Sequence, residues 1–191
     1  SQNIKFLTSI FNVNDADWLP QINHHFIKVP SHEVYNKQLM QKIDGLFDTI
    51  LVSTGAANWH EVEVIPSFIL KSKLSLLHCV SAYPNNEKNS YLSNISFLQR
   101  KFRSPVGISD HTNGIKIPIY GTVLGAKIIE KHIKINHTHN CVDSQVSITG
   151  KQLKTLRNEV DKISEILSEP KFGIKPEEIN TKSFKRKKIY K

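Results

Sequence analysis

Short apolar or β-branched runs recur along the chain at residues 4–7, 26–29, 50–52, 74–77, 106–108 and 127–129, starting 22, 24, 24, 32 and 21 residues apart. That interval accommodates a strand, a loop and a crossover helix, whereas sandwiches built from hairpins repeat faster. The pattern predicts parallel strands alternating with helices, an α/β fold. Helices are predicted over 35–43, 92–102 and 115–124, with Pro118 near enough to a helix start to be tolerated. The clearest helical periodicity comes last, where Leu153, Leu156, Val160, Ile163 and Leu167 recur every three or four residues. Thr149 can cap that helix, whose single apolar stripe suits it to covering a sheet.

The runs end in chemistry unlike their interiors. Thr8-Ser9, Pro30-Ser31-His32-Glu33, Ser53-Thr54-Gly55, the stretch from His78 to Pro84, Ser109-Asp110-His111-Thr112 and Glu130-Lys131-His132 follow the six runs in turn. An α/β barrel gathers its site at the C-terminal ends of its strands in this way. A doubly wound sheet also binds ligands beyond its strand ends, so periodicity leaves both architectures open. Neither a Rossmann glycine fingerprint nor a Walker A sequence is present, which leaves a nucleotide site without a motif.

Composition narrows the class. The 191 residues are 39% hydrophobic and 23% charged, enough for a sizeable core, and one domain is expected. No apolar run approaches the roughly 18 residues of a membrane span, and residues 1–4 do not resemble an export leader. Two cysteines cannot build a disulfide framework; Cys79 lies inside an apolar run, and the cytoplasm is the expected compartment. The net charge of +9 is concentrated at one end: residues 182–191 hold six basic and no acidic residues, leaving +3 for the rest. With no zinc-finger spacing and no aromatic basic strand in the body, nucleic acid is not the expected partner.

Candidate chemistry lies at the strand ends. His78, His111 and His132 each follow a strand interior, where neutral imidazoles can bind a divalent metal or serve as hydrogen-bonded structural residues. His24, His25, His60, His137 and His139 have weaker claims, the last two as surface residues of a polar loop, and His32 is open. Lys28 and Lys131 lie at strand ends, where an ammonium is costly unless it meets an anion. Snorkelling to water is the other reading, even for Lys28 and favoured for Lys131. Ser53, Thr54, Gly55 and Ser109 offer hydroxyl and backbone donors suited to phosphate but common in turns. Glu33 and Asp143 can read sugar hydroxyls or an amide.

The order of these motifs carries more than any one of them. Lys28-Val29-Pro30-Ser31-His32-Glu33, Ser53-Thr54-Gly55, Leu76-Leu77-His78-Cys79-Val80-Ser81-Ala82-Tyr83-Pro84, Val106-Gly107-Ile108-Ser109-Asp110-His111-Thr112, Gly125-Ala126-Lys127-Ile128-Ile129-Glu130-Lys131-His132, then Asp143-Ser144 with Ser147, closely resemble the N-acetylneuraminate synthase family. This family comprises the sialic acid synthases with their pseudaminic and legionaminic acid relatives. The resemblance runs from about residue 4 to residue 157. It implies a TIM (β/α)8 barrel that condenses phosphoenolpyruvate with an N-acetylmannosamine-type aldose, giving a nine-carbon 2-keto acid and phosphate. It further implies a divalent metal, Mn2+ or Mg2+, held by His111 and His132 and acting as a Lewis acid on the open-chain aldehyde. By the same resemblance Lys28, Ser53 and Ser109 fall at phosphoenolpyruvate positions, and Ser81 assists the phosphate end. Glu33, Tyr83 and Asp143 fall at positions near the amino sugar.

The resemblance also shows what this sequence lacks. The family's opening Glu-Ala-Gly, Asn-His and Lys-Phe-Gln segments are absent, so residues 1–168 are expected to be an incomplete barrel of about strands 3–8. Residues 169–191 then form a basic linker toward an absent antifreeze-like domain. The absent groups orient water and both substrates, so impaired activity is expected of the chain alone. A fragment completed by another chain, a truncated sequence, or an inactive remnant that binds a sugar or protein without turnover are the accounts left open, and a homodimer is the family's usual assembly. Smaller departures are Cys141-Val142 before Asp143, where Gly-Pro is usual, Asn85-Asn86-Glu87-Lys88 after Pro84, and Ala56 in place of Met.

Overall fold

A computed structural model describes residues 4–136, 138 and 141–184. His137, His139 and residues 185–191 of the basic tail lie outside the described residues. Five strands, β1 (Phe26–Val29), β2 (Thr49–Ser53), β3 (Lys73–Cys79), β4 (Val106–Asp110) and β5 (Ile129–Lys131), form one parallel sheet in chain order. An order that never reverses is that of a barrel wall; a doubly wound sheet reverses at its switch point. Helix α1 (Leu19–Ile22) precedes β1, and α2 (Lys37–Ile43), α3 (Trp59–Glu63), α4 (Ser93–Phe102) and α5 (Lys116–Val123) fill the four crossovers. Beyond β5, the two-residue strands β6 (Ile133–Lys134) and β7 (Ile148–Thr149) pair in parallel and lead into α6 (Gly150–Ile166).

Strand alternation divides the side chains between two faces. Ile27, Val29, Ile50, Val52, Leu76, Val106 and Ile108 belong to one core with Leu39, Met40 and Ile43 of α2, Ile95 and Leu98 of α4, and Ile117 of α5. Each such side chain contributes about 1.5–3 kcal/mol on burial. The other face turns inward. Lys28 Nζ of β1 lies 2.9 Å from Glu130 Oε1 of β5. In a flat sheet those strands would stand about 19 Å apart, four spacings of about 4.8 Å. The sheet is therefore curled into part of a barrel, and Lys28, Leu51, Leu77 and Glu130 line a cavity of about 200 Å3 inside it.

Two expected boundaries move. Residues 4–7 do not form a strand, and Ile4, Phe6 and Leu7 are exposed. Pairing falls three or four residues later, where Lys28 N donates to Thr8 O (3.0 Å) and Ile10 N donates to Lys28 O (2.9 Å). Ile10 is fully buried, so it, not the earlier apolar run, anchors the segment. The run at 127–129 begins pairing at Lys127, whose N–H donates to Val106 O, but the regular strand reaches on to Lys131. Helices α4, α5 and α6 lie where the periodicity predicts, and Thr149 caps α6 in a reciprocal box with Gln152. The unforeseen α3 carries the same device, Asn58 with Glu61. Among the described residues no helix is long and apolar enough to cross a membrane.

Candidate functional site at the strand ends

The register between β4 and β5 builds the centre of the site. Ile108 pairs with Ile129, Ser109 with Glu130 and Asp110 with Lys131. One residue further, His111 and His132 stand side by side on the inward face with ring centroids 5.4 Å apart. The Tyr83 ring lies 4.0 Å from that of His111 and meets His132 edge-on at 5.9 Å. Asp143, held in the left-handed region at φ 62°, places Oδ2 3.8 Å from His132 Nδ1. Four residues, from the connections that follow β3, β4, β5 and β6, thus converge.

On the outward face, an ion pair immediately before the two imidazoles locks the same register. Lys131 Nζ donates to Asp110 Oδ2 (2.6 Å) and to Thr112 O (2.5 Å). Asp110 also accepts from Thr112 N (3.1 Å) and Thr112 Oγ1 (3.0 Å). The Lys131 and Asp110 side chains are only 3% and 2% exposed. Lys131 therefore does not snorkel to water as expected; a buried carboxylate lies within its reach.

The groups around the imidazoles tune one another. Burial, reinforced by the charge of His111, holds the His132 imidazole below its ordinary range and favours its neutral form. Burial also pulls His111 down, but hydrogen bonding to Cys79 and to the Val80 carbonyl (3.1 Å) outweighs it and leaves this imidazole raised. Burial pushes the Cys79 thiol up, and contacts with His111 (3.8 Å), Ser31 (3.6 Å) and Ser81 (3.6 Å) more than reverse the shift. The Tyr83 phenol is pushed up to about 12, first by burial and then by nearby Cys79, Asp143 and Glu130, so it stays protonated at neutral pH.

A second cluster faces the barrel interior beside the first. Ser53 and Ser109 are buried, and the Ser53 hydroxyl has no hydrogen-bond partner among the described residues. A Cβ placed on Gly55 would stand 2.2 Å from Ser81 Oγ, 2.6 Å from Ser31 Oγ and 2.8 Å from Cys79 Sγ, so only glycine admits this close approach. Lys28 reaches the interior but is engaged by Glu130, whose Oε2 is buried without a partner among the described residues. Glu33, in the turn after β1, accepts from Asn36 Nδ2 at 2.7 Å. A cavity of about 510 Å3 opens on the helix side of this cluster, sharing Cys79 and Ser81 with it and lined further by Trp59 and Phe97. The imidazoles of His111 and His132 lie outside that cavity.

The remaining histidines sort by contact. His78 is buried and its Nε2 bonds Ser90 O at 2.6 Å, a structural role. His32 stacks on Phe11 and His60 pairs with Glu63. Ser31, Cys79, Glu130 and the Asp110–Lys131 pair are site features that motif reading passed over. Ser31 and Glu130 were visible as polar residues at strand ends, but nothing in the sequence pairs them with particular partners. The three substituted positions are accommodated: Ala56 takes a left-handed φ of 56°, Val142 is exposed, and Asn85 N donates to His111 O at 2.9 Å.

An unreversed parallel sheet, its curl and the cluster at its strand ends define part of a (β/α)8 barrel with a polar site at its mouth. Within that class the chain belongs to the NeuB family, whose model matches residues 1–171. It is 33% identical to the N,N'-diacetyllegionaminic acid synthase of Campylobacter jejuni, covering 91% of this chain and 52% of that protein. It is 31% identical to the N-acetylneuraminate-9-phosphate synthase of Drosophila melanogaster, covering 81% of this chain and 42% of that one. The N-acetylneuraminic acid (sialic acid) synthetase of Leptospira borgpetersenii, solved with citrate, superposes with a TM-score of 0.89 at 34% identity over 95% of this chain and 65% of the other. The chain thus spans about half the length of the curated relatives it matches.

Proposed function

We propose that this chain supplies the strand-end half of a site that condenses phosphoenolpyruvate with an N-acetylated, open-chain aldose to give a nine-carbon 2-keto acid and phosphate. The observation that carries this reading is the convergence of His111 and His132 beside an inward cluster of hydroxyls. Lys28, Ser53, Ser81 and Ser109 are assigned to phosphoenolpyruvate. The buried Ser53 hydroxyl, unpartnered among the described residues, and the hydroxyls of Ser31 and Ser81 gathered over Gly55 support an anion there. Tyr83 and Asp143 are assigned to the sugar, with Glu33 reaching it from the turn after β1.

Two imidazoles 5.4 Å apart, one favoured in its neutral form, with a carboxylate 3.8 Å from that ring, fit a divalent cation of the Mn2+ or Mg2+ kind. Such an ion supplies Lewis-acid polarisation of a carbonyl oxygen. The chain's own residues do the rest of the positioning. Tyr83, kept as a phenol, donates a hydrogen bond to the sugar, and Lys28 exchanges Glu130 for a substrate anion. As C3 of the enol bonds to the aldehyde carbon, water adds at C2 and phosphate leaves. In this reading residues 1–168 are the barrel portion and 169–191 a connecting segment, with the other barrel strands supplied by a complementing chain or further sequence and a homodimer as the assembly.

The Lys28–Glu130 ion pair favours a second reading, a fold that binds ligand without turnover, because the cation already has its counter-charge. Phosphate release separates them. The protein completed by the remaining family strands should release phosphate from phosphoenolpyruvate only when an N-acyl hexosamine and Mn2+ are both present. Binding of phosphoenolpyruvate without sugar-dependent release would establish the second reading; absence of both would end the assignment.

A further inference from the structure

The opposite end of the sheet holds a cluster that the proposed function does not use. His24 and His25 precede β1 and Asp48 precedes β2, so adjacent parallel strands bring them together at their N-terminal ends. Ligand-type atoms of all three lie within 4.8 Å of one another, and all three side chains are exposed. His25 Nδ1 lies 2.8 Å from Asp48 Oδ2, and the two imidazole rings are 4.1 Å apart at their centroids.

The backbone beneath the cluster is already fixed. Asp48 N donates to His24 O (2.9 Å), Thr49 N to His25 O (3.0 Å) and Lys73 N to Asp48 O (2.9 Å). Asn23 clamps the same turn, its Oδ1 accepting from His25 N (2.9 Å) and its Nδ2 donating to Phe26 O (2.9 Å). An ion entering here would therefore need to order side chains only, not a loop. Two imidazoles and one carboxylate form a donor set with borderline character, which suits zinc-class ions better than Mg2+ or Ca2+. Exposure leaves the remaining coordination positions to water.

We infer that His24, His25 and Asp48 form a binding site for a zinc-class divalent ion at the N-terminal ends of the strands, separate from the site at their C-terminal ends. The ion would displace the contact between His25 and Asp48 and tie the starts of β1 and β2 together. The inference stands independently of the proposed condensation, because none of its residues is assigned to that chemistry.

The test is a calorimetric titration of the metal-free chain with Zn2+ near pH 7.5, repeated with Co2+ to read its visible ligand-field bands. A chain carrying His111→Ala and His132→Ala should retain one equivalent of bound ion. His24→Ala with Asp48→Asn should lose that equivalent or weaken it at least tenfold while the far-ultraviolet circular dichroism is unchanged, as suits exposed positions. In the unsubstituted chain, imidazole 15N resonances of His24 and His25 should move on zinc addition. Unchanged affinity and stoichiometry in the His24→Ala, Asp48→Asn chain, or resonances of His24 and His25 that stay in place, would overturn the site.

Discussion

The buried pair behind the imidazoles gives a quantitative expectation. Lys131→Met removes the ammonium and strips the Asp110 carboxyl of its counter-charge in a pocket where its side chain is 2% exposed. Breaking a buried pair by deleting one partner costs about 3–5 kcal/mol. The lower end applies, because Thr112 N and Thr112 Oγ1 still donate to the carboxylate. With a urea slope of about 2 kcal/mol per molar, a loss of about 3 kcal/mol moves the unfolding midpoint down by about 1.5 M. Asp110→Asn should cost as much, since Lys131 would keep only the Thr112 carbonyl. The double substitution Asp110→Asn with Lys131→Met removes both charges and keeps an acceptor for Thr112. It should be no less stable than either single variant, so the two losses of about 3 kcal/mol do not add and the coupling is favourable by about 3 kcal/mol or more. Urea unfolding of the four proteins closes the cycle. A Lys131→Met shift below about 1 kcal/mol, the worth of an exposed pair, would refute the argument. So would a double variant as unstable as the sum of the single losses.

Two further expectations concern the same framework. A Cβ at Gly107 would lie 2.5 Å from Leu77 Cδ2 and 2.7 Å from both Ile128 Cβ and the Ile128 carbonyl oxygen. Gly107→Ala must therefore move backbone and should cost about 1–3 kcal/mol, read as a fall in melting temperature; an unchanged value would show that the strands can separate freely. Burial lowers the His78 pKa, against the opposing bond to Ser90, so the folded chain holds this imidazole neutral below the ordinary value of 6.5 at which the unfolded chain takes up a proton. The stability it contributes is complete above that value and is lost as pH falls toward the folded value. His78→Gln should flatten this part of the stability profile between pH 7 and pH 5, and an equally steep profile in the variant would contradict the assignment.

The parts of this fold that could be read from sequence share a physical cause. Strands β1 to β4 are covered on the outward face by helices and face the barrel interior on the other, so they appear as nearly continuous apolar runs. Residues 4–7 show the same composition without the same environment, since their side chains remain exposed. Composition alone cannot distinguish these cases; the deciding contact is Lys28 with Thr8 and Ile10. Strands β6 and β7, two residues each, are too short to carry any period. The capping box of α3 was legible in Asn58 and Glu61, but a helix of five residues offers no apolar stripe to confirm it.

The candidate site divides along the same line. His111 and His132 could be nominated because each follows a strand, and a strand end is a local property. Their mutual approach is a consequence of register, which depends on the Asp110–Lys131 pairing across two strands. Reading Lys131 as a snorkelling residue missed this, because the partner that makes its burial favourable is 21 positions away. His24, His25 and Asp48 pose the same problem at the other end of the sheet, where two strand starts 23 positions apart are brought together by the β1–β2 ladder. In a parallel sheet every pair of adjacent strand ends is a long-range contact. Residue type can therefore be nominated from the local sequence, while the geometry that makes a site waits on the register of strands separated by a whole crossover.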